Sequence, residues 1–342
     1  MIEPEAMVSG RTRIDRRYEV HGIGLALSFD RPALAAALDA RLRQFAAGPA
    51  ENQREPDLIF QFFYVPDGAP HWIERPAGRE RRIFEPKTGE IVYFEENDQI
   101  YLDYAGRVRL LCEPGRGRTS ASIRESEAEN LWFISHPLFT MPLIESLKHR
   151  GRFSVHAAGL CLGGRGLLLP GDSGAGKSTL TVALVRAGFG FLSDDTVFLA
   201  RGPEGLSVLA FPDEIDVTDQ TAGFFPELRH LPALPTAGGW PKRQVWPERV
   251  WGTEVVNDCP PAILVFPRIT HQDRSTVTPL DPAEALFELA SNVFLTEARS
   301  SQAHFDILGE LAREHPCYRL ETGRDLDRVP ELLRELLSAS GG

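Results

Sequence analysis

Long apolar runs are missing from this chain. No stretch of its 342 residues approaches the roughly 18 consecutive apolar residues that a membrane span requires. The opening Met1-Ile2-Glu3-Pro4-Glu5-Ala6 has neither a basic nor an apolar segment, which argues against a secretory signal. Cysteine is scarce: Cys112, Cys161, Cys259 and Cys317 lie far apart and form no CxxC pair. That excludes a disulfide framework or a clustered zinc site and suits reduced thiols in a cytoplasmic protein. Positive charge is in deficit, with 37 Lys and Arg against 48 Asp and Glu and a formal net charge of -11. Such a surface repels a polyanion, so nucleic acid is not an expected partner. The densest basic stretches, Arg75 to Arg82 and Arg107 to Arg118, are interrupted by Glu80 and Glu113 and read as solvated faces. Internal repeats and low-complexity segments are absent.

What is there is an ordinary globular composition, 42% hydrophobic and 25% charged, long enough for two domains. Residues 1–16 read as a loose polar arm. Tyr18 to Phe29 reads as a strand, and Arg31 to Ala47 as a helix with Asp30 as its cap. Short β-branched or aromatic runs follow at Leu58 to Val65, Ile91 to Phe94, Ile100 to Tyr104 and Val108 to Cys112. The expectation is a smaller β-rich domain over residues 1–124. From residue 125 a helical segment broken by Pro137 and Pro142 leads to Gly151. Strands and helices then alternate, including Phe153 to Leu162, Gly166 to Leu169, Phe189 to Leu192 and Ala262 to Phe266. The sequence thus predicts an α/β, or mixed α+β, second domain over residues 125–342.

The segment Gly171-Asp172-Ser173-Gly174-Ala175-Gly176-Lys177-Ser178-Thr179 is a complete G-x-x-x-x-G-K-[ST] match between an apolar strand and a helix. Its glycines let backbone N–H groups turn inward around phosphates, and the helix start adds partial positive charge. Lys177 suits the β- and γ-phosphates of a triphosphate such as ATP, and Ser178 suits a magnesium ion. Asp194-Asp195 ends the next strand, 17 residues after Lys177. Next to magnesium-ATP one carboxylate can serve the metal while the other accepts a hydroxyl proton. Strand alternation points the two in different directions. His156, 15 residues before Gly171, stands among small neighbours, Ala157, Ala158 and Gly159, that suit a close approach.

Together, His156, the loop Gly171 to Ser178 and Asp194-Asp195 resemble the C-terminal catalytic domain of the HPr kinase/phosphorylase family. The resemblance covers residues 125–325, most closely 150 to 200. It implies a phosphoenolpyruvate-carboxykinase-like fold and phosphoryl transfer to a serine hydroxyl. By the same match Asp194, Asp195, His156 and Lys177 would be catalytic, and Ser178 with Asp195 would hold magnesium. Thr179 stands where that family usually carries Glu, and the N-terminal region does not read as the family's regulatory domain. A peptide serine is therefore one candidate acceptor. The ABC-type ATPases share S-G-A-G-K-S-T, but no L-S-G-G-Q follows.

Gly238-Gly239-Trp240-Pro241-Lys242-Arg243 sets two cations behind a hinge near Trp246 and Trp251, the pattern of a lid that brings Lys242 and Arg243 to the phosphates. Arg268 is a weaker candidate, and Asp213, Glu214 and Asp216 form an acidic turn. Three functional readings stay open: a kinase for a protein or peptide serine, a kinase for a small hydroxylated molecule, and a nucleotide-sensing module with little catalysis. The N-terminal domain would recognise the acceptor or mediate homo-oligomerisation.

Overall fold

A computed structural model describes residues 12–76, 81–84, 91–96, 98–234, 241–270, 272–293 and 298–340. The chain divides into two compact units, Met1–Arg150 and Gly151–Gly342. The sequence places this boundary after residue 124. It falls later because the helical segment packs on the first unit's sheet, as described below.

The first unit is built on β1 (Ile14–Val20), β2 (Ile23–Phe29), β3 (Leu58–Val65), β4 (Arg81–Phe84), β5 (Ile91–Glu96), β6 (Gln99–Tyr104), β7 (Val108–Glu113) and β8 (Arg118–Arg124). Their order in the sheet is β1-β2-β3-β8-β7-β6-β5-β4. The single strand expected from Tyr18 to Phe29 is the second half of one strand and the whole of the next. His21 and Gly22 both take positive φ, 52° and 79°, the geometry of a two-residue hairpin turn. The polar signal of that turn is short, and apolar residues continue on both sides of it. Helix α1 (Pro32–Arg41) is shorter than the 31–47 expected and crosses over between the parallel strands β2 and β3. Asp30 does not cap it: the buried carboxylate accepts the Tyr64 N–H at 3.1 Å, and Pro32 starts the helix instead.

Strand β8 has little sequence signal because Arg118-Thr-Ser-Ala-Ser-Ile-Arg124 is short of β-branched residues. It nevertheless lies between β3 and β7, paired on both edges, and its Thr119 and Ser122 are buried. The segment after it belongs to this unit. Pro137 lies in a π-helical turn, Ile134–Leu138, and α2 (Phe139–Lys148) tolerates Pro142 in its first turn. Phe139 packs on Phe60 and Phe62, with ring centroids 6.1 and 6.3 Å apart. Buried Arg41 reaches from α1 to the Ser135 carbonyl and, at 2.8 Å, to the Thr140 hydroxyl. Within the second basic stretch, Arg107, Arg109 and Arg116 are ion-paired with Glu127, Asp103 and Glu113.

The second unit contains β9 (Phe153–Leu162), β10 (Arg165–Pro170), α3 (Lys177–Arg186), β11 (Gly190–Ser193), β12 (Thr196–Gly202), β13 (Gly205–Leu209), β14 (Ile215–Val217), α4 (Asp219–Phe224) and β15 (Arg243–Val245). It continues with β16 (Asp258–Cys259), β17 (Pro261–Ile269), β18 (Thr276–Pro279), α5 (Pro282–Ser291), α6 (Ala298–Glu314), β19 (Cys317–Thr322) and α7 (Val329–Ala339). The main sheet runs β16-β13-β12-β9-β10-β17-β19-β18, with β11 also on β9, and β14 and β15 form a separate ribbon. Strands β10, β17 and β19 are parallel and the other neighbours antiparallel. Alternation along the central strands builds two cores. Leu167, Leu169, Ile263 and Val265 pack with Leu180 and Leu184 of α3 and Leu333 of α7. On the opposite face Leu168, Leu264 and Phe266 pack with Ile307, Leu308 and Leu311 of α6. This is the mixed α/β architecture, preceded by a β-rich unit, that the sequence predicts. All four cysteines are free and buried. Among the described residues no helix is long and apolar enough to cross a membrane.

Strand β9 is crowded on one edge. It pairs with β12 from Phe153 to His156 and with β11 from Gly159 to Cys161. A Cβ on Gly159 would lie 2.7 Å from Val197 Cγ1 and 3.2 Å from Leu192 Cβ. Glycine is required here for close packing. Gly159→Ala is predicted to cost about 1–3 kcal/mol through overpacking. Denaturant unfolding of the two proteins measures it, and equal stability would contradict the close approach.

Candidate phosphate-loop site

The site residues sit on adjacent strands. Leaving β10, the chain enters the loop directly after Pro170, which lies opposite Ala157 on β9. On the other edge of β9, Ser193 faces Gly159 and Thr196 faces His156. In that register Asp194 and Asp195 fall opposite Ala158 and Ala157. The small neighbours of His156 are thus where two chain segments converge. The loop's Gly174 and Gly176 have φ of 89° and 96°, a left-handed backbone that favours glycine. Gly176 immediately precedes α3, so the loop opens onto that helix's N-terminus. A Cβ there would also come within 3.3 Å of Ile269, at the end of β17.

Lys177 is 8% exposed, and its Nζ contacts the Gly171 carbonyl at 2.5 Å, the Asp172 carbonyl at 3.1 Å and His156 Nε2 at 3.1 Å. Burial pulls its pKa below the ordinary lysine value, against the opposing charges of Asp195, Asp194 and Asp172. Asp194 is 6% exposed. Burial raises its carboxyl to about 6, although the hydrogen bond from Ser178 works in the other direction. Ser178 Oγ donates to Asp194 Oδ2 at 2.7 Å, while Oδ1 is buried with no hydrogen-bond partner. An orphaned buried carboxylate oxygen beside a hydroxyl is the donor set that a hard cation takes. Ser178 and Asp194 therefore fit magnesium.

Asp195 faces the other way. Its side chain is 70% exposed and its Oδ1 lies 3.2 Å from His156 Nδ1. The Thr196 hydroxyl donates to Oδ2 at 3.2 Å. Surrounding protein opposes its charge, but at that exposure water screens the effect. The hydrogen bond from His156, with the Lys177 charge, holds the carboxyl below its usual value.

Thr179 Oγ1 lies 2.9 Å from Thr221 Oγ1 on α4, a contact across 42 residues that no sequence pattern signals. Ile269 has no mark in the sequence either, because the expected strand stops at Phe266, although Pro267-Arg268-Ile269 continues it. Strand β12, which carries the chain from Asp195 back along β9, lies outside the expected strands, since only Val197, Phe198 and Leu199 are apolar in its first half. Lys242 and Arg243 are held by carboxylates. Lys242 Nζ lies 3.3 Å from Asp216, and Arg243 pairs with Asp219. The acidic turn is therefore the partner of Lys242, and the start of α4 that of Arg243. Of the tryptophans, Trp251 packs on the core and donates to Glu227 at 3.3 Å. Gly238, Gly239 and Trp240 of the expected lid lie outside the described residues.

The strand, glycine loop and helix thus lie inside a mixed α/β unit, with His156 against Lys177, Asp194 beside Ser178 and Asp195 beside His156. No protein-family model matches the chain. Over 82 residues it is 40% identical to the HPr kinase/phosphorylase of Burkholderia cenocepacia, covering 20% of this chain and 26% of that protein. The HPr kinase/phosphorylases of Burkholderia mallei and Paraburkholderia phymatum match to the same extent. Over those residues this chain is similar to HPr kinase/phosphorylases, and it spans about a quarter of the length of those curated relatives. The Hpr(Ser) kinase/phosphatase from Coxiella burnetii matches over 54% of this chain and 88% of its own, at 14% identity and a TM-score of 0.33.

Asp194 generates a stability prediction. Its folded value of about 6 lies above the ordinary 3.8, so the folded protein holds the proton more tightly. Ionisation therefore erodes stability as pH rises from about 4 through 6, and the cost is fully present above that. Asp194→Asn should stabilise the protein by about 1–3 kcal/mol at pH 7.5, since each tenfold change in proton affinity is worth ~1.4 kcal/mol. The gain should shrink towards pH 4. Urea unfolding without added metal or nucleotide measures both, and a pH-independent difference would show that burial of the charge is not the cause.

Proposed function

We propose that the protein is an ATP-dependent kinase that transfers the γ-phosphoryl group to a serine hydroxyl of a protein or peptide. The observation that carries this reading is the convergence of Lys177, His156 and the two carboxylates at the mouth of the loop. The loop N–H groups and the start of α3 bind the phosphates, and Lys177 neutralises the β- and γ-oxygens. Ser178 and Asp194 hold magnesium, which when bound spreads the phosphate charge. The family resemblance implies Asp195 as the metal carboxylate; the orphaned Oδ1 favours Asp194 instead, and Asp195 serves the acceptor side with His156. Enzymatic transfer of this kind is mostly positioning and charge stabilisation. The kinase identity of the relatives, by their names, supports the same reading. Among its described residues the first unit carries no such chemistry, and we assign it to acceptor recognition or self-association.

Incubation with γ-labelled ATP, magnesium and a lysate of the native host tests the reading. Label is expected on serine of a macromolecule, and Lys177→Met is expected to lower transfer at least about 100-fold, the scale of losing one charge stabiliser. Label on a small compound would instead indicate a metabolite kinase. ATP binding indifferent to Lys177→Met would overturn the assignment. Because Lys242 and Arg243 are paired with Asp216 and Asp219, the double change to Ala should alter transfer by less than about threefold, well below the loss of an oxyanion-type contact. A loss as large as that of Lys177→Met would show that they reach the phosphates after all.

A further inference from the structure

Two of the buried cysteines meet across one strand. Cys161 stands on β9 opposite Gly166 of β10, and Cys259 ends β16 just before β17 begins at Pro261. Strands β9 and β17 are the two neighbours of β10, so the cysteines approach that strand from its two sides. Gly166 is where they converge. A Cβ at this position would lie 3.0 Å from Cys259 Sγ and 2.8 Å from the Pro260 carbonyl. Directly opposed residues of an antiparallel pair set their Cβ atoms about 5 Å apart, which brings Cys161 to the same spot. Both side chains lie on one face of the sheet, in the core of Leu168, Leu264 and Phe266. The missing side chain of Gly166 leaves the space in which the two sulfurs face one another. The other cysteines are turned elsewhere: Cys112 Sγ lies 3.8 Å from the Ser146 hydroxyl, and Cys317 Sγ lies 3.4 Å from the His315 carbonyl.

The pair is also asymmetric. The neighbouring Cys259 thiol holds the Cys161 thiol below its ordinary value against the effect of burial, while Cys161 and burial together raise Cys259. Burial pushes Cys112 up to about 12 and Cys317 to about 11. Cys161 is 7% exposed and one residue removed from the exposed turn Gly163-Gly164, and Cys259 lies between exposed Asp258 and Pro260. A small oxidant therefore has a short path to either sulfur. We propose that Cys161 and Cys259 are a redox-modified pair, which a hydroperoxide converts reversibly to a disulfide spanning β10 at Gly166. The Cys161 thiolate attacks one peroxide oxygen, the O–O bond breaks, and the departing oxygen leaves with the electron pair and takes a proton. Cys161 is then a sulfenic acid. The Cys259 sulfur attacks the Cys161 sulfur, the S–O bond breaks, and the proton given up by Cys259 completes a water molecule. Two thiols are oxidised by two electrons, and with hydrogen peroxide two waters form. The pair lies at the end of β10 remote from the phosphate loop, five residues of strand or about 16 Å before Gly171. Its disulfide closes the segment that carries the loop, α3 and Asp194-Asp195 into a covalent ring.

Hydrogen peroxide added in modest excess to the reduced full-length protein at about pH 7.5 tests this, where an ordinary thiol is mostly protonated. Acid quench, denaturation, alkylation of the remaining thiols and peptide mapping follow. Two of the four thiols should be lost, with Cys161 linked to Cys259 within one chain, and dithiothreitol should restore both. Cys112 and Cys317 should react at least about tenfold more slowly, since each pKa unit is a tenfold change in thiolate. Cys259→Ala should stop the reaction at a sulfenic acid on Cys161, trapped by dimedone. Cys161→Ala should slow oxidation of Cys259 by about the same tenfold factor, with circular dichroism confirming both folds. Four intact thiols, a link between separate chains, or equal loss at Cys112 and Cys317 would overturn the proposal. So would a Cys259 that oxidises as fast without Cys161. Where a variant does not fold, the peptide map of the unmodified protein decides. The oxidation needs neither nucleotide nor magnesium, so its failure leaves the phosphoryl-transfer reading standing.

Discussion

Strand β9 is hydrogen-bonded along both edges, and that double pairing is the constraint on which the site depends. On one side β10 delivers the chain into the glycine loop opposite Ala157. On the other, β11 and β12 share the remaining edge and leave Asp194 and Asp195 between them. His156 projects from the strand in the middle. Gly159 permits the shared edge because a Cβ there would push Val197 and Leu192 away. The loop, the carboxylates and the histidine are therefore positioned by backbone pairing, the stiffest element available, and loop flexibility has little part in it.

The same packing places the two most deeply buried charges of the site under strain of opposite sign. Burial lowers the pKa of Lys177 and raises that of Asp194, so each group is held in an environment that disfavours its charge. A polyanion would relieve the first and a cation the second. Polar groups left under-satisfied at a binding site commonly trade stability for function in this way. Asp195 is spared by its exposure and by His156. Adjacent in sequence, the two aspartates differ because one side chain turns into the core beside Ser178 and the other towards water.

Legibility varies along the chain for identifiable reasons. Strong apolar runs such as Leu58 to Val65 and Phe153 to Leu162 are legible to the residue. Weak patterns are not: β8 is made of small polar residues, yet both its edges are paired, and what buries it is the sheet around it. The hairpin at His21-Gly22 is hidden within a continuous apolar stretch. Pro137 and Pro142 suggest a broken helix leading into a new domain. Phe139 on Phe60 and Phe62 instead ties that helix to the first sheet.

At the site, the sequence alone determined which groups are present: a glycine loop with its lysine and serine, a pair of aspartates, and a histidine upstream. Those features are local, because loop geometry and strand alternation act over a few residues. Tertiary structure decided how the groups divide their contacts. It paired Asp194 with Ser178 and Asp195 with His156, and set the lysine against the imidazole. It also paired Lys242 with Asp216 and Arg243 with Asp219. Each of these contacts joins residues separated by 16 or more positions, where only the register of neighbouring strands and the packing of helices on them fixes who meets whom.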